Sequence, residues 1–316
     1  MRYSREYLEG LAAETAFQPE LLEKVLRLER VLDQVGRHPF LQTRLLLKGG
    51  TALNLFYGQA PRLSVDLDFN YIGAVEREAM LQERPEIERA LEQITRGDGY
   101  NIQQAAEEHA GRKFYLNYWN AFGSQDRVEI DVNYMFRVPL VPPSFREAWT
   151  PDRDAPCRAR MVGFEEVMAG KLLALLDRIA ARDLYDVASL ESIGTYDFKQ
   201  FRRVFIALSG ILPRPLTAYD VGRLSAFTQD QLDRELAPFL RTTERVTPEG
   251  LALRAGRILA PLLHLSAEEQ EYADRLQWGE FHPELIVSGD SDFLDRLRAH
   301  PALLWKVENA RRRTRR

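Results

Sequence analysis

The sequence predicts an α+β protein, in which a domain with a mixed sheet and N-terminal helices precedes a mostly helical domain. Segments that alternate apolar and polar residues, as strands do, occur only before residue 135. Segments with helical spacing dominate after residue 164, and five prolines lie between residues 137 and 160. Since 316 residues suffice for two domains, we place them at residues 1–145 and 146–316, and expect the second to complete an active-site cleft.

Composition excludes several classes of protein. The 43 Lys and Arg against 47 Asp and Glu give a net charge of −4, which excludes a uniformly basic surface but not a local basic patch. Cys157 is the single cysteine and the five histidines are scattered, so neither an internal disulfide nor a zinc site is expected. The sequence shows no apolar run long enough to cross a bilayer, and it shows no signal peptide. We expect a cytoplasmic protein that does not contact membranes.

Helices and strands alternate along the first half of the chain. Apolar residues at helical spacing predict helices over residues 3–15, 19–35, 51–56 and 75–93. Short apolar or alternating runs predict strands over residues 44–48, 63–69, 113–119 and 127–134. The last two strands are separated by a turn at residues 123–126, which predicts a hairpin.

Helical patterns occupy the second half. They predict helices over residues 164–190, 198–209, 218–240, 247–263 and 266–278. Five of the last six residues are arginines, and we interpret this segment as a solvated tail, with contact to an RNA backbone as the alternative.

The strand over residues 63–69 carries the first candidate site. Asp66 and Asp68 are two residues apart, so both carboxylates leave the same face of the strand, which Ser64 shares. Two carboxylates that repel each other suit a hard divalent cation. Asp131 has the same alternating context, so a neighbouring strand would add a third carboxylate, as in metal-assisted nucleotidyl transfer. A solvated edge strand is the alternative interpretation of the Asp66 and Asp68 pair alone.

A glycine turn precedes this strand. Lys48, Gly49 and Gly50 lie between a predicted strand and a predicted helix. Glycines at such a turn let backbone N–H groups approach a phosphate, and the start of a helix favours an anion. A plain tight turn is the alternative for the glycine pair alone. The combination of strand, glycine turn, helix and Asp-x-Asp strand is rarer, and is typical of polymerase-β-like nucleotidyltransferases.

The helix predicted from Phe164 contains an unexpected lysine. At 100° per residue, Lys171 falls within the apolar arc of this helix, as do Arg178, Arg182 and Asp186 if the helix continues. Lysine is almost never fully buried without a partner. Either its ammonium reaches solvent along an apolar face, or this face closes over the Asp66 and Asp68 pair and offers positive charge to a triphosphate.

These motifs together resemble a known family. Lys48-Gly-Gly-Thr-Ala-Leu53, Arg62-Leu-Ser-Val-Asp-Leu-Asp68, Lys171-Leu-Leu-Ala-Leu175 and Arg182-Asp-Leu-Tyr-Asp186 are similar to the motifs of AbiEii-type nucleotidyltransferase toxins, which include the MenT toxins. The resemblance implies a polymerase-β-like fold and Mg²⁺-dependent use of a nucleoside triphosphate (NTP). It also implies transfer of nucleotides to the 3′ acceptor end of tRNA, arrest of growth, and restraint by a cognate antitoxin.

The resemblance also implies roles for individual residues. Asp66 and Asp68 match the metal-binding pair, with Asp131 added from the strand pattern, and Lys171 and Asp186 match a later lysine and aspartate needed for activity. The matched motifs also contain the expected nucleotide-binding residues Lys48, Gly49, Gly50, Arg62, Ser64 and Arg182. Ser64 matches a serine that is a site of inhibitory phosphorylation in some relatives.

Other functions stay open at this point. A nucleotidyltransferase with a small-molecule acceptor would use the same chemistry, and a non-catalytic nucleotide- or RNA-binding regulator would use the same scaffold. The intact set of motif residues argues against the regulator. A nuclease that uses the same carboxylates is a further alternative, but it would not need the glycine turn. Tyr115, Tyr118 and Trp119 are able to stack on bases, although packing in the hairpin is the interpretation we favour. His109, His264, His282 and His300 receive no role.

Overall fold

The computed structural model describes residues 3–105 and 110–314. His109 and the last two arginines therefore lie outside the described residues. No helix in the part of the chain that is described is long and apolar enough to cross a membrane.

Seven strands form one mixed sheet in the described residues, in the order β3-β4-β5-β2-β1-β7-β6. They are β1 (Leu45–Lys48), β2 (Asp66–Tyr71), β3 (Asn101–Gln104), β4 (Gly111–Trp119), β5 (Gln125–Asn133), β6 (Ser144–Glu147) and β7 (Arg158–Met161). β2 runs parallel to β5 and β1 parallel to β7, whereas the other neighbouring pairs are antiparallel. The predicted hairpin is confirmed as β4 and β5, and β3, β6 and β7 were not predicted.

Helices cover the apolar face of this sheet. The helices of this part of the chain are α1 (Arg5–Thr15), α2 (Pro19–Arg37), α3 (Gly49–Thr51) and α4 (Arg77–Arg96). α2 contacts α4, β5 and β7, while α4 also contacts β3. The strand residues beneath them are almost completely buried: Leu47, Leu67, Phe69, Phe114, Leu116, Val128, Ile130 and Val132. The alternation in β4 and β5 places the polar residues of these two strands on the other face of the sheet.

The chain forms two compact units. The first comprises residues 1–137, 143–162 and 237–245, and the second comprises residues 138–142, 163–236 and 246–316. The chain therefore crosses between the units several times. The predicted division after residue 145 falls inside the segment 143–162 of the first unit.

The second unit is helical, as predicted, but two of its helices differ from the prediction. It contains α5 (Phe164–Arg178), α6 (Ala181–Ser189), α7 (Phe198–Ser209), α8 (Gln229–Glu235), α9 (Pro248–Leu263), α10 (Ala267–Gln277), α11 (Ser291–Arg298) and α12 (Pro301–Thr314). The helix predicted over residues 164–190 is interrupted at Ile179, which has a left-handed backbone. The one predicted over residues 218–240 is divided: Asp220 caps a short 3₁₀ helix over Val221–Ala226, and Thr228 caps α8, which covers only the centre of the predicted helix.

The arginine-rich terminus also differs from the expected solvated tail. Arg311, Arg312 and Arg313 lie in the last turn of α12, where cations interact favourably with the helix dipole. Arg311 Nε donates a hydrogen bond to the carbonyl of Gly279 at 2.7 Å. This part of the terminus is therefore folded, because a tertiary contact anchors it.

Candidate active site

Four charged residues form one row across the polar face of the sheet in the first unit. Strand register places Lys48 opposite Asp68, Asp68 opposite Asp131, and Asp131 opposite Lys113. The lysines flank the carboxylates: Lys48 Nζ lies 4.0 Å from Asp68 Oδ1, and Lys113 Nζ lies 3.9 Å from Asp131 Oδ2. The side chain of Asp68 is 34% exposed and that of Asp131 41%. Two carboxylates on neighbouring strands are thus open to a ligand.

Asp66 extends this cluster by one row. It lies two residues before Asp68 on β2 and opposite Glu129 on β5, so it shares their face. Glu129 binds the side chains of Arg127 at 2.9 Å and Lys113 at 3.4 Å. The geometry predicted for Asp66, Asp68 and Asp131 is therefore observed. In contrast, Ser64 precedes β2 and is buried rather than lying on the strand.

Gly49 makes room for the Asp68 carboxylate. Its φ of 73° lies in the left-handed region, and a Cβ built on it would lie 2.3 Å from Asp68 Oδ2. Any side chain at this position would be strained and would displace the carboxylate. Glycine at position 49 is therefore required by the local backbone and by the acidic residue beside it.

The helical segment after this glycine starts earlier than predicted. The turn Gly49–Thr51 continues as a π-helix over Ala52–Tyr57, a rare form that is frequent at functional sites. Thr51 Oγ1 donates to the carbonyl of Asp66 at 2.5 Å, and Asn54 Nδ2 donates to the carbonyl of Gly50 at 2.9 Å. These bonds hold the glycine turn against the start of β2.

Arg62 has an internal position. It is only 2% exposed, and its Nη1 donates to the carbonyl of Leu63 at 2.8 Å. The backbone N–H of Leu63 in turn donates to the carbonyl of Phe239, at 2.9 Å. The burial of Arg62 favours a structural role over the predicted contact with a nucleotide.

The carboxylates fit a divalent cation in their chemistry. Mg²⁺ takes oxygen ligands, often one or two carboxylates together with water and substrate phosphates. Asp66, Asp68 and Asp131 present such oxygens on one partly exposed face. Across residues 3–105 and 110–314, however, no three His, Cys, Asp or Glu side chains are arranged as a ready-made metal cluster. The carboxylates therefore match Mg²⁺ in ligand type, while their arrangement alone does not form a complete set of ligands.

A second charged cluster lies in the second unit, around Lys171. Its ammonium lies 2.7 Å from Asp186 Oδ2 and 3.3 Å from Asp183 Oδ1. The side chain of Lys171 is 10% exposed and those of the two aspartates at most 1%. Arg178 binds Asp183 from outside with two hydrogen bonds of 2.6 and 3.0 Å. Of the two alternatives for Lys171, the one that places its ammonium in solvent is therefore wrong.

This cluster depends on the break between α5 and α6. In one continuous helix, 15 residues would separate Lys171 and Asp186 by about 22 Å along the axis. Ile179 ends α5 with a φ of 48°, an unusual value for a β-branched residue, and α6 then packs against α5. The reversal brings Asp183 and Asp186 to Lys171. Arg182, half-buried, lies on the same helix.

Asp183 is the member of this cluster that was not predicted. It lies inside the quoted motif Arg182-Asp-Leu-Tyr-Asp186, three residues before Asp186 and hence on the same side of α6. This spacing was the signal in the sequence that could have identified Asp183. The contact between Asp183 and Lys171 forms only because the break between α5 and α6 turns this side of α6 toward the lysine.

The three aromatic residues of the hairpin have different surroundings. Tyr118 is buried, with the guanidinium of Arg27 3.8 Å from its ring centroid, which agrees with packing in the hairpin. Tyr115 lies under Arg127, at 4.8 Å. Trp119 is 64% exposed, so packing does not explain it.

Comparisons with known proteins agree with this architecture. A family described as "Nucleotidyl transferase AbiEii toxin, Type IV TA system" matches residues 30–295. The structure is similar to that of MenT4, a nucleotidyltransferase toxin from Mycobacterium tuberculosis H37Rv, with a TM-score of 0.66 and 19% sequence identity. The similarity covers 94% of this chain and 98% of MenT4. No curated protein matches the sequence. Because the family match spans most of the chain, the protein belongs to the AbiEii family of nucleotidyltransferase toxins of type IV toxin–antitoxin systems.

Proposed function

We propose that this toxin transfers nucleotides from an NTP to the 3′ acceptor end of tRNA in an Mg²⁺-dependent reaction, and so blocks translation and growth. The observation that carries the proposal is the polar face of the first unit, where Asp68 and Asp131 lie side by side and Gly49 leaves space beside Asp68. The two adjacent carboxylates are 34% and 41% exposed and repel each other, and a bound cation with its triphosphate would offset this repulsion.

The reaction divides among the residues as follows. Asp66, Asp68 and Asp131 would hold Mg²⁺, which when bound neutralises the triphosphate and the leaving pyrophosphate. Backbone N–H groups at Gly49 and Gly50, together with the ammonium of Lys48, contact the phosphates. The 3′-hydroxyl of the RNA attacks the α-phosphorus, the bond to the β-phosphate breaks, and the hydroxyl loses its proton to water. Catalysis is then mainly positioning and charge stabilisation.

We propose that Lys171 and Asp186 are also needed for activity, as the resemblance to the family's later lysine and aspartate implies. Asp186 and Asp183 contact the Lys171 ammonium at 2.7 and 3.3 Å and hold it in place within the second unit. Arg182 is a further candidate for contact with the nucleotide. The partner expected from the type IV system is an antitoxin protein.

The first test is incorporation of labelled nucleotides. The purified protein is incubated with Mg²⁺, each α-³²P-labelled NTP in turn, and total tRNA. We expect label on tRNA with the wild type, and a loss of about a hundredfold or more with Asp66→Ala, because charge stabilisation at the reacting phosphate is lost. Glu129→Gln is the matched control, since Glu129 shares the face but is bound by Arg127 and Lys113.

The outcomes separate the alternatives. Full activity in a folded Asp66→Ala variant would overturn the assignment of the carboxylates. Label on a small molecule rather than on RNA would favour the small-molecule acceptor. Absence of label on any acceptor would contradict the transfer reaction and favour a binding regulator.

A further inference from the structure

A groove lies on the first unit, next to the outer strands of the sheet and away from the carboxylates. Its volume is about 860 Å³, and it is lined by parts of β3, β4 and β5 together with residues 98–99 and Arg27. None of the residues predicted from the sequence to bind a nucleotide or a metal is among those that line it. The groove is therefore a separate feature of this unit.

Amide and aromatic side chains dominate the wall of this groove. Trp119 projects from the wall with 64% of its surface exposed. The wall also contains four amide side chains: Asn101, Gln103, Asn117 and Gln125. The two acidic residues in the wall are held by basic partners. Asp98 receives two hydrogen bonds of 2.6 Å from Arg30, and Asp126 lies 2.8 Å from Lys24 Nζ. The wall therefore offers hydrogen-bond donors and acceptors beside an aromatic ring, with its acidic charge balanced.

Strand register connects one side of this groove to the carboxylates, while Tyr118 and Asp126 line its other side, toward α2. Asn101, Asn117 and Arg127 form one row across β3, β4 and β5, with Trp119 and Gln125 in the next row outward. Arg127 precedes Asp131 by four residues on β5, so the two rows lie on the same face, roughly 13 Å apart. A chain that ends at the carboxylates and runs along this face would reach Trp119 after a few nucleotides.

We propose that this groove binds unpaired nucleotides of the RNA acceptor, upstream of the reacting 3′ end, with one base stacked on Trp119. Sequence-specific RNA recognition uses aromatic or guanidinium planes for stacking and amides for the edges of bases, and both are present here. The buried core of a protein–protein interface is more apolar than this amide-rich wall, so the wall favours RNA over a protein partner. The inference rests on the proposed function and names the surface that would orient its acceptor.

The experiment combines binding with incorporation. Binding of a fluorescent single-stranded RNA without NTP is measured by anisotropy for the wild type, Trp119→Ala and Trp119→Phe. We expect Trp119→Ala to weaken binding about tenfold, the effect of losing one base–aromatic stack, and Trp119→Phe to restore most of it. Trp278→Ala is the matched control, because Trp278 is 68% exposed and lies in the second unit. Since Trp119 is exposed, its replacement leaves the core intact.

Incorporation then tests the position of the groove. For Trp119→Ala, we expect kcat/KM on total tRNA to fall about tenfold relative to kcat/KM on a dinucleotide acceptor, which is too short to reach the groove. An unchanged ratio together with unchanged RNA binding would overturn the groove proposal while leaving the transfer reaction intact. If the wild type labels no RNA, the proposed function fails, and the binding measurement still decides whether the groove holds RNA.

Discussion

The two charged clusters of this protein differ in how their charges are paired. In the first unit, Lys48 and Asp68 face each other at 4.0 Å, with each side chain about one-third exposed. In the second unit, the ammonium of Lys171 lies 2.7 Å from Asp186, and both side chains are nearly inaccessible. The first cluster is open and loosely paired, whereas the second is closed and tightly paired.

Burial separates two uses of charge in these clusters. An exposed pair at 4.0 Å contributes little to stability, so the open carboxylates are available to a ligand. In a buried cluster, removal of one partner leaves uncompensated charge and is strongly destabilising. Substitutions in the first cluster should therefore change activity, and substitutions in the second should change both stability and activity.

The largest expected effect is on stability, at Lys171. Lys171→Met leaves Asp183 and Asp186 buried without their shared ammonium, so the free energy of unfolding should fall by about 3–5 kcal/mol. Lys48→Met is the matched control, and should cost less than about 1 kcal/mol because its pair with Asp68 is exposed. Urea unfolding measures both, and equal losses in the two variants would remove the distinction between the clusters.

An intermediate effect is expected at the glycine turn. Gly49→Ala places a Cβ against Asp68 Oδ2 and forces alanine into a left-handed backbone, which costs about 1–2 kcal/mol. Incorporation of labelled nucleotide should fall at least about tenfold, because displacement of about 1 Å at a reacting centre has effects of that size or larger. Gly10→Ala in α1, where nothing lies within 4 Å of the added Cβ, should instead stabilise the protein slightly. Thermal unfolding and incorporation are measured together, and normal activity in Gly49→Ala would contradict the assigned role of this turn.

A further effect, on how stability depends on pH, concerns Glu29, a buried carboxyl beside which the described residues place no ammonium of the kind found in the Lys171 cluster. Burial raises the pKa of Glu29 in α2 to about 8, although the Thr150 hydroxyl donates a hydrogen bond to it. Between the ordinary pKa of 4.5 and about 8, the folded state retains a proton that the unfolded state releases. Stability should therefore fall as pH rises through this window, by at most about 1.4 kcal/mol per pH unit.

Glu29→Gln should flatten this dependence, whereas Glu20→Gln, at an exposed position of the same helix, should leave it unchanged. The measurement is the free energy of unfolding at pH 5, 6, 7 and 8. The same slope in the Glu29→Gln variant would show that another group causes the pH dependence.

Local patterns accounted for much of the first unit. The alternation around Asp66, Asp68 and Asp131 predicted which side chains share a face, because side chains of a strand alternate whatever the neighbouring strand is. The helix predicted over residues 218–240 shows the limit of such patterns, because only α8 within it is an α-helix. Asp220 and Thr228 each start a new segment, and Arg223 donates to the carbonyl of Leu176 in α5. A contact with a distant segment cannot be seen in local spacing.

Short-range spacing and residue type were enough to predict the fold class, the polar face with its acidic pair, and the family. The tertiary structure set three other features. It placed Asp131 beside Asp68 through the parallel pairing of β2 and β5, and it brought Asp183 to Lys171 through the break at Ile179. It also left Trp119 exposed. Pairing between strands and reversals between helices depend on which distant surfaces are buried together, so these features follow only from the complete fold.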